Sequence, residues 1–228
     1  MNRRFCAVVI WAASLLLTTP SWAGDIVDRV VATVNAKIIL QSDWEDALRS
    51  EACVEGHSPA ELNSDERKAA LDHLIDQELL REQMHASDFQ HATEKDVAQR
   101  LTEIRQQHPE AATPPGWQAF LTSCGLTEDQ LARYVGLQLD LMRLVDARLR
   151  PNVSIDAKSI ESYYNREFLP QLRQSGAGEV PLAEVSPKIK ELLTQQKVNE
   201  LLVVWLHNLR SGSDIRTQFP PSLPGDAQ

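Results

Sequence analysis

The spacing of apolar residues divides the chain into segments of three kinds. Residues 5–17 form an uninterrupted apolar run, residues 30–40 contain two short runs rich in β-branched residues, and from residue 42 onward apolar residues recur every three or four positions. Short β-branched runs are typical of strands, and a period of three to four is typical of helices that bury one face. The pattern therefore predicts a mostly α protein with a little β structure.

The β-type segment predicts a hairpin. Val30–Val34 and Ile38–Leu40 flank Asn35, Ala36 and Lys37, a turn signal weaker than Asn-Gly. Because a lone hairpin is unstable in water, it needs a partner. The segment 213–219 reads as a short strand, and the simplest arrangement joins it to the hairpin in one small sheet, with Ile215 near Val30–Val34. The alternative is a helical body with frayed ends.

Capping residues indicate where the helices begin. The predicted starts are Ser42, Asn63 or Ser64, Thr93, Thr127, and Ser154 or Asp156. The corresponding ends are about Ser50, Met84, Pro109, Pro151 and Pro170. The helix that begins at Thr127 opens with a capping-box pattern and has a strong apolar face, formed by Leu131, Val135, Leu139, Met142 and Val145.

The last third of the chain contains a linker-like segment and one long helix. Residues 173–179 are polar and contain two glycines, a composition typical of a linker. Ser186 and Pro187 form a helix start, and the wide apolar face that follows predicts a helix up to Gly212. Residues 220–228 are rich in proline and are predicted to be a flexible tail.

The first 23 residues match a cleavable secretory signal. Arg3 and Arg4 precede the apolar run, which at 13 residues is shorter than the roughly 20 that a membrane-spanning helix needs. Small Ser21 and Ala23 place the cut between Ala23 and Gly24. We therefore expect an exported protein that is released without stable membrane insertion; the alternative is an uncleaved anchor.

Charge and cysteine content narrow the possible partners. Loss of the two arginines with the signal takes the net charge from −9 to −11. Such an acidic chain lacks the basic surface that nucleic acid requires. Cys53 and Cys124 remain after cleavage, and in an oxidising compartment they form either one disulfide or two buried free thiols.

No motif in the sequence indicates chemistry. The zinc-protease, dinucleotide-binding, P-loop and nucleophile-elbow patterns do not occur, and the six histidines are scattered. We therefore expect no catalytic residue, no metal ligand and no cofactor. Aromatic residues are the remaining candidates for a functional surface, because they give large contact area with little loss of entropy. The candidate peptide contacts are Trp44, Trp117, Phe120, Tyr134, Tyr163 and Tyr164; the alternative for each is core packing.

At this point several segments resemble the SurA family of periplasmic chaperones. The opening, Asp28 to Asp43, is similar to the family's hairpin and first helix, and Asp214–Arg216 is similar to its closing strand. Further similar segments are Leu71–Leu80, Gly125–Leu131, Val153–Phe168, Ile189–Lys197 and Trp205–Arg210. The resemblance implies a multi-helix SurA-like chaperone core in which the C-terminal helix packs among the N-terminal helices.

The sequence also departs from this family. SurA proteins carry one or two parvulin isomerase domains between the N-terminal helices and the C-terminal helix, where this chain has only residues 173–179. Seven residues cannot fold as a domain, which needs about 50. The expected organisation is a signal (1–23), an N-terminal helical region (24–172), a linker (173–179), a C-terminal helix and strand (180–219) and a tail (220–228).

The resemblance implies a function without catalysis. We expect an ATP-independent periplasmic chaperone for unfolded exported polypeptides, with outer-membrane β-barrel precursors as the implied clients. One alternative is a protein related to peptidyl-prolyl isomerases, and another is a dedicated adaptor for a single secreted partner. Domain content argues against the first alternative, whereas only a survey of clients separates the second from a general chaperone.

Overall fold

The computed structural model describes residues 28–56, 62–176 and 178–218. The predicted signal with its Ala23–Gly24 cleavage site and the predicted tail at 220–228 lie outside the described residues. Within the described part, the chain is mostly helical and has one small antiparallel sheet, as the sequence predicts.

The sheet joins the two ends of the described chain. Its strands are β1 (Val30–Val34), β2 (Lys37–Leu40) and β3 (Ile215–Thr217), in the order β2-β1-β3. Both pairings are antiparallel, and Val34 lies opposite Ile215. The predicted hairpin and its pairing with the C-terminal strand are therefore confirmed, and the frayed alternative is wrong.

Asn35 explains why this turn needs no glycine. Its backbone adopts a positive φ of 52°, which asparagine tolerates better than most residues. Its N–H donates to the carbonyl of Asp214 at 2.8 Å, and its side-chain oxygen accepts from the Asp214 N–H at 3.0 Å. One residue thus turns the hairpin and fixes the end of β3.

Eight α-helices are described between the strands. They are α1 (Gln41–Glu55), α2 (Ser64–Met84), α3 (Glu94–Gln107), α4 (Pro114–Cys124), α5 (Glu128–Leu149), α6 (Ala157–Tyr163), α7 (Leu169–Gln174) and α8 (Leu182–Ser211). The predicted caps at Asn63, Thr93, Thr127 and Asp156 all accept hydrogen bonds from the first turns of their helices.

Three predicted helix boundaries are wrong. Ser42 does not cap the first helix, which begins at Gln41; its hydroxyl donates to the Asp28 carboxylate instead. The first helix does not stop near Ser50 but continues to Glu55, where Gly56 takes the left-handed conformation at φ 79°. The last helix begins at Leu182, so Pro187 lies inside it and not at its first position. A proline in an early turn removes one helical hydrogen bond, and the following 24 residues of helix outweigh that loss.

The segment around Pro170 also differs from the prediction. The helix from Ala157 does not end there: a π-helical turn at Tyr164–Phe168 leads directly into α7. A widened turn before a proline gives its ring room against the preceding carbonyl. A separate helix at 114–124 is not predicted from the sequence; there, α4 begins with two prolines after a Thr113 cap.

One core cluster lies under the sheet. It combines β1 and β2 residues with Trp44 and Leu48 of α1 and with the apolar face of α2; the α2 members are Ala70, Leu71, Ile75 and Leu79. Ile215 and Leu209, from the other end of the chain, pack against it. The hairpin is therefore stabilised by both a third strand and a helical layer.

A second cluster surrounds a disulfide between α1 and α4. Cys53 and Cys124 are bonded, with their Cα atoms 5.6 Å apart, and both are buried. Apolar residues of α3, α4 and α5 complete the cluster, among them Ile104, Leu121, Leu131 and Val135. The bond therefore ties the first helix to the α3–α5 layer.

The third cluster holds α8 in place. Leu80 of α2 and Leu141 and Leu144 of α5 are buried in it, with Leu202, Trp205, Leu206 and Leu209 of α8 packed against them. Arg210 reinforces the contact, because its Nε donates to Asp76 at 2.6 Å and its Nη2 donates to the Asp72 carbonyl at 2.9 Å. The division of the chain into an N-terminal and a C-terminal part at 173–179 remains a prediction.

Loss of the Cys53–Cys124 disulfide should lower the free energy of unfolding. A bridge between residues 71 apart is worth about 4 kcal/mol on the chain-entropy model. We expect the C53A/C124A variant and the reduced wild type to unfold at clearly lower urea concentration than the oxidised wild type. Because the reduced wild type keeps both side chains, it isolates the effect of the bond; unchanged midpoints in both proteins would contradict the prediction.

Removal of the Arg210 guanidinium should loosen α8. Arg210→Ala leaves Asp76 and the Asp72 carbonyl without these donors, and we expect a loss of about 1–2 kcal/mol in urea unfolding, since the site is partly exposed. Arg173→Ala is the matched control, because Arg173 is exposed and its ion pair is with nearby Glu179. Equal losses in the two variants would show that the contacts of Arg210 contribute nothing specific.

Candidate functional site

The described residues form a groove of about 800 Å³. Five helices, α1, α2, α3, α5 and α8, contribute to it. Its apolar lining residues are Val54, Leu80, Ile104, Tyr134, Val135, Leu139, Leu141, Met142, Val145, Leu202 and Leu206. Its polar and charged lining residues are Glu51, His73, Asp76, Gln77, Arg100, Glu103, Gln138, Gln195 and Asn199.

One face of α5 forms the floor of this groove. Val135, Leu139, Met142 and Val145 are three or four residues apart, so they lie on one face of the helix. Ten residues of helix span about 15 Å. An extended polypeptide rises about 3.3 Å per residue, so the floor matches four or five residues of such a chain.

Helix α8 forms one wall with the same periodicity. Gln195, Asn199, Leu202 and Leu206 recur every three or four residues along it. The two leucines also belong to the cluster that holds α8 against α2 and α5. Because these side chains pack on one side and line the groove on the other, the groove depends on α8 keeping its position.

Met142 is the most exposed apolar residue of the floor. Its relative exposure is 58%, whereas neighbouring Leu141 is 5% exposed and belongs to the core. A large apolar side chain that remains in water is available for contact with a partner. Methionine is flexible and polarisable, and it adapts to partners of different shape.

The charged residues at the groove are largely paired within the protein. Arg100 and Glu103 form an ion pair at 3.1 Å. Asp76 accepts from Arg210 at 2.6 Å, and Glu51 lies 3.7 Å from the His73 ring, which carries charge only when protonated. These pairs leave the apolar floor as the main binding element.

Tyr134 is one of the residues that line the groove. Burial, together with the nearby carboxylates of Glu51 and Glu55, raises the pKa of Tyr134 to about 12. The phenol therefore stays protonated at neutral pH, and its O–H can donate a hydrogen bond to a carbonyl of a bound chain. This is the one predicted aromatic contact that lines the groove.

Three of the predicted aromatic contacts are core residues. Trp44 is buried under the sheet, and its indole N–H donates to the Arg67 carbonyl at 3.1 Å. Trp117 and Phe120 stack on each other in the disulfide cluster, with ring centroids 5.6 Å apart. Their burial fits the core-packing alternative, and peptide contact at these three positions stays a prediction.

The two remaining tyrosines lie elsewhere on the molecule. The Tyr164 hydroxyl donates to the Val180 carbonyl at 2.7 Å, so it fastens the connection that leads into α8. Tyr163 lines a separate hollow beside α8, with Ser162, Arg166 and Leu193 among its neighbours. Neither residue belongs to the groove.

Sequence reasoning missed most of the groove because it gave priority to aromatic side chains. The α5 stripe was found, but only as an apolar face, and the polar wall residues such as Gln138 and Asn199 carry no signal of their own. Met142, a flexible apolar side chain on a strongly amphipathic helix, carries a partial signal. Only the tertiary structure brings the five helices together around Met142.

Within the described ranges, no helix is long and apolar enough to cross a membrane. The same residues contain no group of three or more potential metal ligands. What the geometry offers is a surface for contact with an apolar partner.

Comparison with known proteins identifies the N-terminal part of the chain. A family model described as the SurA-like N-terminal domain matches residues 5–144, which is more than half of the chain. The matched range contains the hairpin, the groove-lining parts of α1, α2 and α3, and α5 as far as Leu144. Helix α8, the remaining wall, lies outside it. No curated protein matches the sequence significantly.

Acidification should weaken the N-terminal cap of α3 and, to a smaller extent, its ion pair with α5, which positions one side of the groove. Asp96 accepts hydrogen bonds from the Thr93 N–H and hydroxyl and pairs with Arg143 at 2.9 Å. These contacts lower the pKa of Asp96 from 3.8 to about 2. Since the folded pKa is the lower one, the stabilisation is present above about pH 4 and is lost as the pH falls towards 2.

Asp96→Asn should therefore flatten the dependence of the unfolding midpoint on pH between 4 and 2. Glu94→Gln is the matched control, since it changes the same charge on the same turn of α3 without these contacts, and it should keep the wild-type slope. The measurement is urea unfolding followed by circular dichroism at several pH values. Parallel slopes for wild type and Asp96→Asn would contradict the role of Asp96.

Proposed function

We propose that this chain, which belongs to the family of SurA-like N-terminal domains, is a chaperone. It holds unfolded polypeptides in the groove between α1, α2, α3, α5 and α8 without using a nucleotide. The family supplies the general role. The observation that carries the proposal is the groove itself, whose floor exposes Met142 between apolar neighbours.

The size and lining of the groove suit a short extended stretch of a client. Four or five residues fit the floor, and each large apolar side chain that leaves water contributes about 1.5–3 kcal/mol. The client loses conformational entropy when it is ordered, and this loss offsets much of the gain. Binding is therefore moderate and reversible, which allows release without an energy source.

Exported outer-membrane β-barrel precursors are the proposed clients. Their strands alternate apolar and polar residues, with aromatic girdles near both membrane interfaces, so any short stretch presents side chains to an apolar floor. The predicted secretory signal at 1–23 would bring the chain to the periplasm, where these precursors pass. After loss of that signal, the net charge of −11 helps to keep a protein with exposed apolar surface soluble.

The proposal contains no chemical step. The groove offers apolar contact and one phenolic donor at Tyr134, and both serve binding. A proline-limited refolding assay addresses the isomerase alternative, because uncatalysed isomerisation takes tens of seconds and catalysis is easily seen against it. We expect no acceleration by protein freed of contaminating isomerases.

A charge placed on the floor should abolish the chaperone effect. We expect the wild type at equimolar ratio to suppress light scattering when a urea-unfolded outer-membrane barrel is diluted into buffer. Met142→Glu should lose most of that suppression, because binding a client over a carboxylate requires its desolvation. The melting temperature of this variant should stay close to that of the wild type, since Met142 is 58% exposed.

Met142→Leu is the matched control, because it keeps an apolar side chain of similar volume and should retain suppression. If Met142→Glu protects barrels as well as the wild type, the groove is not the client site. If the wild type protects none of several barrels but binds one co-exported protein tightly, the chain is a dedicated adaptor.

A further inference from the structure

The sheet has an edge that no strand of the described residues covers. In the order β2-β1-β3, β2 is an edge strand of four residues. The edge of a sheet presents backbone N–H and C=O groups that can pair with another extended chain. The hydrogen bonds between β1 and β3 determine which backbone groups of β2 point outward.

The backbone of Thr33 faces β3. The Asn35 N–H donates to the Asp214 carbonyl and the Gln218 N–H donates to the Val31 carbonyl, both at 2.8 Å. Hydrogen-bonded positions alternate along an antiparallel pair, so Thr33, midway between them, also points its N–H and C=O to β3. Its partner across the hairpin is Ile38. That pair is therefore not hydrogen-bonded, and Ile38 directs both of its backbone groups away from the sheet.

The neighbouring donor on this edge is already used. The Leu40 N–H donates to the Asp43 carboxylate at 3.0 Å, at the start of α1. Ile38 thus supplies the open pair of backbone groups, and its side chain is 52% exposed.

A hollow of about 250 Å³ runs along this edge. Three consecutive residues, Lys37, Ile38 and Ile39, line it. Since successive side chains of a strand point to opposite faces, a hollow that touches all three lies beside the strand and not on one face of it. Tyr134 and Gln77 line both this hollow and the groove, so the two adjoin.

Among the charges around the hollow that are not in an ion pair, the cations outnumber the carboxylates by two to one, because Asp43 keeps its charge when it accepts from the neutral Leu40 N–H. Glu78 pairs with Arg81 at 3.2 Å, Asp46 pairs with Arg49, and Asp43 caps Leu40. Lys37 and Arg133 also line the hollow, and no ion pair with a described residue involves either. A bound segment with a carboxylate would match them.

We propose that the outer edge of β2 binds an extended polypeptide segment carrying an acidic side chain, which adds to the sheet as a fourth strand. Ile38 exchanges backbone hydrogen bonds with the segment, and Lys37 and Arg133 attract its carboxylate. The proposal takes from the proposed function only the nature of the partner, an unfolded polypeptide. It assigns a second contact, at which a client in the groove continues past Tyr134 onto the sheet.

The probe is a fluorescein-labelled ten-residue peptide that alternates valine and threonine around a central glutamate, measured by fluorescence anisotropy with the full chain. We expect Ile38→Pro, which removes the outward N–H, to weaken binding about tenfold, and Ile38→Thr, which keeps that N–H, to weaken it less. Methylating the amides along one edge of the peptide should weaken its binding to the wild type by about the same factor as Ile38→Pro does.

Charge reversal tests the same site without touching the strand backbone. K37E/R133E should bind the peptide about fivefold to tenfold more weakly at low salt, with a smaller difference at high salt. The control K95E/K188E makes the same change in net charge at exposed lysines of α3 and α8 and should bind like the wild type. A peptide with a central lysine in place of glutamate should bind K37E/R133E more tightly than it binds the wild type.

Unchanged affinity in K37E/R133E and for the methylated peptides overturns the proposal, even if Ile38→Pro fails to fold. A concentration-dependent dimer in sedimentation that Ile38→Pro dissociates overturns it as well, because the edge would then pair with a second copy. Met142→Glu separates the two sites. If it weakens peptide binding and the edge variants do not, the edge proposal fails and the groove stands; if the edge variants weaken binding while the wild type suppresses no scattering, the edge proposal stands alone.

Discussion

Pairing of β1 with β3 is the constraint on which the rest of this structure depends. A two-stranded hairpin is not stable by itself, and here the third strand comes from the opposite end of the described chain, with Val34 opposite Ile215. Asn35 fixes that junction through two hydrogen bonds with Asp214. Because β3 follows α8 after a short turn, this pairing also determines where α8 ends.

The position of α8 in turn creates the groove. Leu202 and Leu206 pack against α2 and α5 and also line the cavity, so packing and binding use the same helix. The opposite side is held differently, by the Cys53–Cys124 bond and the core around it. One wall is therefore attached through noncovalent contacts around Arg210, and the layer opposite is tied covalently to α1.

Binding surfaces of this kind require apolar residues that the fold leaves in water. Met142 and Ile38 are both more than half exposed. Each follows or precedes a buried neighbour in the chain, Leu141 on α5 and Ile39 on β2. The buried neighbours fix the backbone, so the exposed residues are presented on rigid elements. The groove and the hollow beside β2 adjoin, since Tyr134 lines both.

The sequence by itself determined the family of this protein and most of its elements, though not α4 or every helix boundary, because these depend largely on local information. Capping residues such as Asn63 and Thr127 mark helix starts through contacts within one turn, and the hairpin follows from β-branched runs on either side of Asn35. It did not determine that Trp44, Trp117 and Phe120 lie in the core while Met142 lines a groove. Each of these side chains is apolar and suits either place, and only the packing of distant helices decided which of them remain in contact with water.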